Sequence, residues 1–233
     1  MEKIRISAKV LGQIAMPDFC PRCFWIKLHF KKLPWQIFPG IFSSIDAYTK
    51  KVVHAWIDRK DGKPDFIRDL NVTGYVKVPH WSKFMMETEY GITLSGGADD
   101  MLIVPNGIHI PDYKTAKFTA NQDKLFPMYQ AQVNGYAKIG VHLDMDIDSL
   151  SLIYMEPLTD EQAASEYNHI GCFDMRLVPH FLPIEMDIDS IDPLLERARE
   201  IYDGPIPEKT DCKDCEALDK IIGRILADEP IKK

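Results

Sequence analysis

The order of local signals predicts an α/β fold with one central mixed β-sheet flanked by helices. Three observations carry that expectation. Helix-like segments open and close the chain, and a meander of short strand-like runs fills its middle. Asn106-Gly107 stands between two apolar runs, the strongest short-range signal of a hairpin. Two Cys-x-x-Cys pairs lie near opposite ends of the chain; if they share one metal, the N- and C-terminal segments are joined there.

The elements follow in order. Residues 18–33, DFCPRCFWIKLHFKKL, suit a helix, and LPWQIFPGIF is a proline-punctuated connector. A second helix is expected over 44–57 with Ser44 as its N-cap, before the loop DGKPD. TGYVKV, YGITLSG, DDMLIV and GIHIPDYKTA are strand candidates, the last two joined at Asn106-Gly107. Residues 125–140 suit a helix ending near Gly140. LSLIYMEP and FDMRLVPHFLPIEM are further strands. SIDPLLERAREIYDG has a capping Ser190, Pro193 in its first turn and Gly204 after its end. A last helix is expected from about Glu216 to Asp228.

With 233 residues and 45% apolar content, the chain can bury a substantial core as one domain over 1–233. No run approaches the roughly 18 apolar residues of a membrane span. MEKIRISAKVLGQ lacks the continuous apolar stretch of a secretory signal, so a cytoplasmic setting is expected. The formal charge of −7 is uneven. Residues 1–142 hold 19 Lys and Arg against 13 Asp and Glu, whereas residues 143–233 hold 9 against 22. A local basic surface is compatible with that division, as is an ordinary solvated face.

Four of the five cysteines form the pairs Cys20–Cys23 and Cys212–Cys215. Two residues between thiols let both point at one ion, and disulfides are not expected in a cytoplasmic chain of this size. Cys172 stands alone and reads as a small buried hydrophobe.

The stretch GGADDMLIVPNGIHIPDYKTAK raises a chemical question. Residues two apart on a strand share a face, so Asp112 and Lys114 point together and Tyr113 points away. Asp99, at the far end of the partner strand, falls near Asp112. Asp100 competes with it, but adjacent strand residues point oppositely. Two converging carboxylates beside a lysine are costly unless a cation lies between the acids. Mg²⁺ or Mn²⁺ suits such oxygens, and a lysine beside it can orient an attacking water or offset charge on a phosphate. A surface hairpin with an Asp–Lys pair is the plainer reading of that motif by itself.

Three motifs occur together: Gly96-x-x-Asp99, then Asp112-Tyr113-Lys114-Thr115, then Gln132-x-x-x-Tyr136. In that order, with Cys20-Pro-Arg-Cys23 before them and Cys212-Lys-Asp-Cys215 after, the chain resembles the PD-(D/E)XK nuclease superfamily, in its RecB- and Cas4-like exonuclease branch. The resemblance implies a restriction-endonuclease-like core at about 45–160, with the cysteine pairs on helical segments 18–33 and 205–228. It implies an Mg²⁺- or Mn²⁺-dependent deoxyribonuclease acting on single-stranded DNA or duplex ends in recombination, repair or CRISPR adaptation, with a helicase, CRISPR or recombination protein as partner.

The resemblance assigns Asp99 and Asp112 as metal ligands together with the main-chain carbonyl of Tyr113, Lys114 as the catalytic lysine, and Gln132 and Tyr136 as positioning residues. Gln130 competes with Gln132, but only Gln132 has tyrosine at i+4. An upstream helical ligand is expected: His54 first, Asp46 on the same helix as the alternative, then Glu87 or Glu89. The four paired cysteines are implied to bind a 4Fe–4S cluster, with zinc or 2Fe–2S as alternatives. Lys27, Lys31, Lys32, Lys50 and Lys51 could track a phosphate backbone, and Trp25 and Trp35 could stack on bases. Two other functions remain open: a non-catalytic DNA-binding or assembly module, and a zinc-stapled hydrolase acting on another substrate.

Overall fold

The computed structural model describes residues 2–30, 40–59, 64–119, 124–166, 168–169 and 171–226. Lys31, Lys32, Trp35 and most of the DGKPD loop lie outside them, as does the side chain of Cys172.

The strands are β1 (Ile4–Ser7), β2 (Gly74–Tyr75), β3 (Met85–Glu87), β4 (Ile92–Ser95), β5 (Leu102–Val104), β6 (Gly107–Lys114), β7 (Ile147–Pro157), β8 (Asn168–His169), β9 (Cys172–Phe173) and β10 (Leu177–Ile184). The helices are α1 (Ala8–Leu11), α2 (Pro21–His29), α3 (Gly40–Arg59), α4 (Phe126–His142), α5 (Glu161–Glu166), α6 (Ile191–Asp203) and α7 (Lys213–Leu226). The fold is mixed α/β, as the element order predicts. Its five-stranded sheet runs β10-β7-β6-β5-β2, parallel only between β6 and β7. β1, β4 and β3 form a smaller sheet. No helix of the described residues is long and apolar enough to cross a membrane.

β6 and β7 divide the interior in two. On one face Ile110, Leu150, Leu152 and Tyr154 pack with Val133, Tyr136 and Ala137 of α4. On the other, Tyr113 and Ile153 pack with Val53 of α3. Alternation along β6 therefore sets Asp112 and Lys114 on the α4 side and Tyr113 on the α3 side.

Several boundaries differ from expectation. The hairpin turns at Pro105-Asn106, and Gly107 opens β6 by pairing with Val104. Gly107 has φ +154°, and a Cβ there would stand 2.2 Å from the Asp146 carbonyl oxygen, so close approach rather than the turn requires glycine. Ser44 does not cap α3; it lies one turn inside, and its hydroxyl donates to the Gly40 carbonyl at 3.2 Å. β1, β3, α1 and α5 are short elements not anticipated from the sequence.

Candidate active site and four-cysteine centre

The lead into β5 brings Asp99 to β6, where its Oδ2 accepts the Tyr113 amide N–H at 2.9 Å. Asp112 is fully buried on the adjacent strand position. Its Oδ1 accepts the Gln132 side-chain amide at 2.9 Å, and the same Nε2 lies 2.6 Å from the Tyr136 hydroxyl. The i, i+4 spacing on α4 thus brings the Tyr136 hydroxyl to the amide that holds Asp112. The Lys114 ammonium forms an ion pair with Asp112 Oδ2 and lies 4.2 Å from the Tyr129 ring centre. Gly96 makes the arrangement possible: a Cβ there would stand 2.8 Å from the Tyr136 ring and 2.9 Å from Phe84.

The electrostatics match this crowding. Burial, then the charge of Asp112, pushes the Asp99 carboxyl up to about 7. Burial opposes the Lys114 ammonium, yet Asp112 and Asp99 hold its pKa above the usual lysine value. Burial and the Asp112 charge raise Tyr136, which stays a neutral phenol. Asp112 Oδ2 is held by the Lys114 ammonium, whereas Gln132 Oε1 is buried with no hydrogen-bond partner. Two carboxyls crowded beside one buried lysine, with a spare buried acceptor on Gln132, fit a hard divalent cation, which takes oxygen ligands and offsets charge. Among the described residues these carboxylates do not converge as tightly as the cysteines below.

α3 supplies both upstream candidates and separates them. Asp46 lies beside the acids: Thr115 Oγ1 donates to its Oδ1 at 3.4 Å, and Lys114 and Asp112 both act on its charge. Its carboxyl is raised chiefly by burial. His54 instead places Nε2 3.0 Å from both oxygens of Asp100 and stacks on Tyr75 at 3.6 Å. The Asp100 carboxylate also accepts the Met101 N–H at 2.9 Å and the Tyr113 hydroxyl at 3.3 Å, with Lys50 Nζ at 3.8 Å. Lys50 further donates to the Asp99 carbonyl at 2.9 Å. Sequence reasoning did not anticipate this Asp100–His54–Tyr113–Lys50 network; the parity that separates Asp99 from Asp100 was its only trace.

The other candidates are engaged elsewhere. Glu87 accepts from Thr93 at 2.6 Å and pairs with Lys3 at 3.3 Å. Trp25 donates to the Gly204 carbonyl and stacks on His29, which stacks on Tyr202, so Trp25 is part of the α2–α6 packing. Lys27 reaches Gln13 at 3.3 Å, with its pKa lowered by burial.

A second constellation joins the chain's distant segments. Cys20 precedes α2 and Cys23 lies in its first turn; Cys212 precedes α7 and Cys215 lies in its first turn. Each pair closes its turn in the same way, with Phe24 N donating to the Cys20 carbonyl at 3.1 Å and Glu216 N to the Cys212 carbonyl at 3.0 Å. The four sulfurs all lie within 4.8 Å of one another, a set that could hold a metal ion or cluster. Burial opposes ionisation of Cys20, but the Thr210 hydroxyl and the Cys23 backbone bring its thiol down to about 7. Burial raises Cys23 and Cys215. Asp219 of α7 pairs with Arg22 of α2 at 3.0 Å and with Lys209 at 3.1 Å, bracing the two helices around the sulfurs.

No family model matches the chain, and no curated protein matches it. Among solved structures, SSO0001 is similar with a TM-score of 0.47 and 12% identity, over 95% of this chain and 87% of that one. A phage-related exonuclease from Haemophilus somnus 129PT is similar with a TM-score of 0.47 and 14% identity, over 86% of this chain and 94% of that one. At this level of likeness, function must be read from the chain's own side chains.

Proposed function

We propose that the chain is an Mg²⁺- or Mn²⁺-dependent deoxyribonuclease that hydrolyses phosphodiester bonds at DNA ends. One observation carries the reading. Asp99 and Asp112 are buried together beside Lys114, which pairs with Asp112, and Gln132 Oε1 next to them is buried without a hydrogen-bond partner. Asp99, Asp112 and the Tyr113 carbonyl would hold the cation, with Asp46 as the third acid. Asp46 is preferred to His54 because it shares an electrostatic environment with Asp112, whereas the His54 ring is bonded to Asp100. A divalent cation there supplies an acidified water and offsets charge on the scissile phosphate.

The chain's own groups do the rest. Gln132 fixes the Asp112 carboxylate through Oδ1. Tyr136 holds the Gln132 amide in place. Lys114, charged in this environment, gives up its pairing with Asp112 to orient the attacking water and steady the phosphate. The ordered motifs resembling RecB- and Cas4-like nucleases favour DNA over other phosphodiesters.

The test is digestion of linear and covalently closed circular DNA with Mn²⁺, with Mg²⁺ and with chelator. Loss of the linear form in the presence of metal, with the closed circle resistant, is the expected outcome. Undiminished digestion with chelator, or by Lys114→Ala, would remove the proposal.

A further inference from the structure

We infer that the four-cysteine centre holds a single tetrahedral zinc ion and not an iron–sulfur cluster. The inference is independent of the nuclease reading, since it rests on sulfur spacing alone. Cys20 Sγ lies 3.5 Å from Cys215 Sγ; Cys23 Sγ lies 3.6 Å from Cys212 Sγ and 3.3 Å from Cys215 Sγ. An ion bound at about 2.3 Å by four tetrahedral sulfurs separates them by roughly 3.8 Å. The observed edges are slightly shorter, so one ion entering the centre needs only a small outward movement of each thiol.

A cluster requires a different arrangement. In a four-iron cubane each cysteine sulfur binds a different iron and projects outward from the cube, so the thiolates stand well beyond single-ion spacing. In a two-iron cluster the sulfurs divide into two pairs on either side of the inorganic core. Neither pattern is present: close contacts link one Cys-x-x-Cys pair to the other, and all four sulfurs fit within 4.8 Å.

The surroundings suit a closed tetrathiolate. Cys20 and Cys215 are buried, and the Thr210 hydroxyl donates to Cys20 Sγ at 3.3 Å. Both pairs lie at helix N-termini, where partial positive charge favours thiolate. Four soft sulfur ligands at this spacing, with no open position, suit a structural zinc site.

The full chain, expressed with zinc and iron both supplied and purified without oxygen, is assayed for zinc, iron and acid-labile sulfide. One zinc per chain, no sulfide and no brown colour are expected, as is failure to form a cluster chromophore on treatment with ferrous iron and sulfide. Thr210→Val keeps all four ligands and should lose zinc to a chelator about 10-fold more readily. Iron with matching sulfide, either before or after that treatment, overturns the inference. So does a metal-free chain that takes up no zinc, or full zinc retention by Cys215→Ser.

Discussion

The two faces of the central sheet each bury an aspartate, and they treat it differently. On the α3 face Asp100 is saturated: both oxygens meet His54, one accepts the Met101 amide and the other the Tyr113 hydroxyl. On the α4 face Asp112 meets the Gln132 amide and the Lys114 ammonium, and Asp99 beside it is pushed up by burial and by Asp112. The acids Asp99 and Asp100 are sequence neighbours, and the residues they meet, Asp112 and Tyr113, are neighbours too. Alternation along β6 sends Asp112 and Tyr113 to opposite faces, and the lead into β5 turns Asp99 and Asp100 apart to meet them. A lone carboxylate ringed by donors holds structure together; two carboxyls sharing one lysine repel, a cost that a bound cation relieves.

The largest expected effect separates the two faces directly. Asp112→Ala should lower metal-dependent DNA cleavage by about 10³-fold, consistent with the several kcal/mol a catalytic metal contributes, and should also lower stability because it strands the buried Lys114 ammonium. Asp100→Ala should cost stability alone. Stranding the buried partners of a charged network costs about 3–5 kcal/mol, read in denaturant unfolding, while the folded fraction keeps its cleavage activity. If Asp112→Ala is the more destabilised of the two and cleaves normally, the faces have been assigned the wrong way round.

The comparison sharpens along α3, which contributes to both faces. Asp46→Ala should raise the Mn²⁺ concentration needed for half-maximal cleavage about tenfold or more. His54→Ala should leave that concentration unchanged and cost about 1–2 kcal/mol through the lost bond to Asp100. The opposite pattern would restore His54 as the upstream ligand.

The smallest effect is a pH dependence in chelator. The folded Asp99 carboxyl titrates near 7, above its ordinary 3.8, so the folded state holds this proton more tightly than the unfolded state does. Its contribution is fully favourable below 3.8 and is lost as pH rises through about 7. Asp99→Asn should therefore raise the melting temperature by roughly a few degrees at pH 8, with the gain vanishing near pH 4. A gain that is equal at both pH values would show that crowding by Asp112 is not the cause.

Much of this site was legible in the sequence because it rests on short-range geometry. The period of two along β6 places Asp112 with Lys114, the turn between β5 and β6 brings Asp99 alongside, and the i, i+4 spacing on α4 aligns Gln132 with Tyr136. The choice between Asp46 and His54 was not legible. Eight residues apart on one helix lie about 12 Å apart along its axis, so each reaches a different acid, and which does so depends on how α3 docks. The hairpin signal at Asn106-Gly107 located the turn to within one residue, but it could not show that Gly107 is needed against the Asp146 backbone. β1 escaped notice because its pairing with β4 joins Ile4 to Ile92, a partnership with no local signature. Ser44 misled because a serine hydroxyl can bond back to the carbonyl one turn earlier as readily as it caps.

The four-cysteine centre also sets an order of events during synthesis. Cys23 leaves the ribosome 189 positions ahead of Cys212, an interval of roughly 10–40 seconds at ordinary elongation rates. Throughout that interval the first two thiols are made but the centre cannot close. The strands of the central sheet are all translated before Cys212 arrives, so closure of the centre comes after the sheet's residues and acts as a late clasp on a fold already under way.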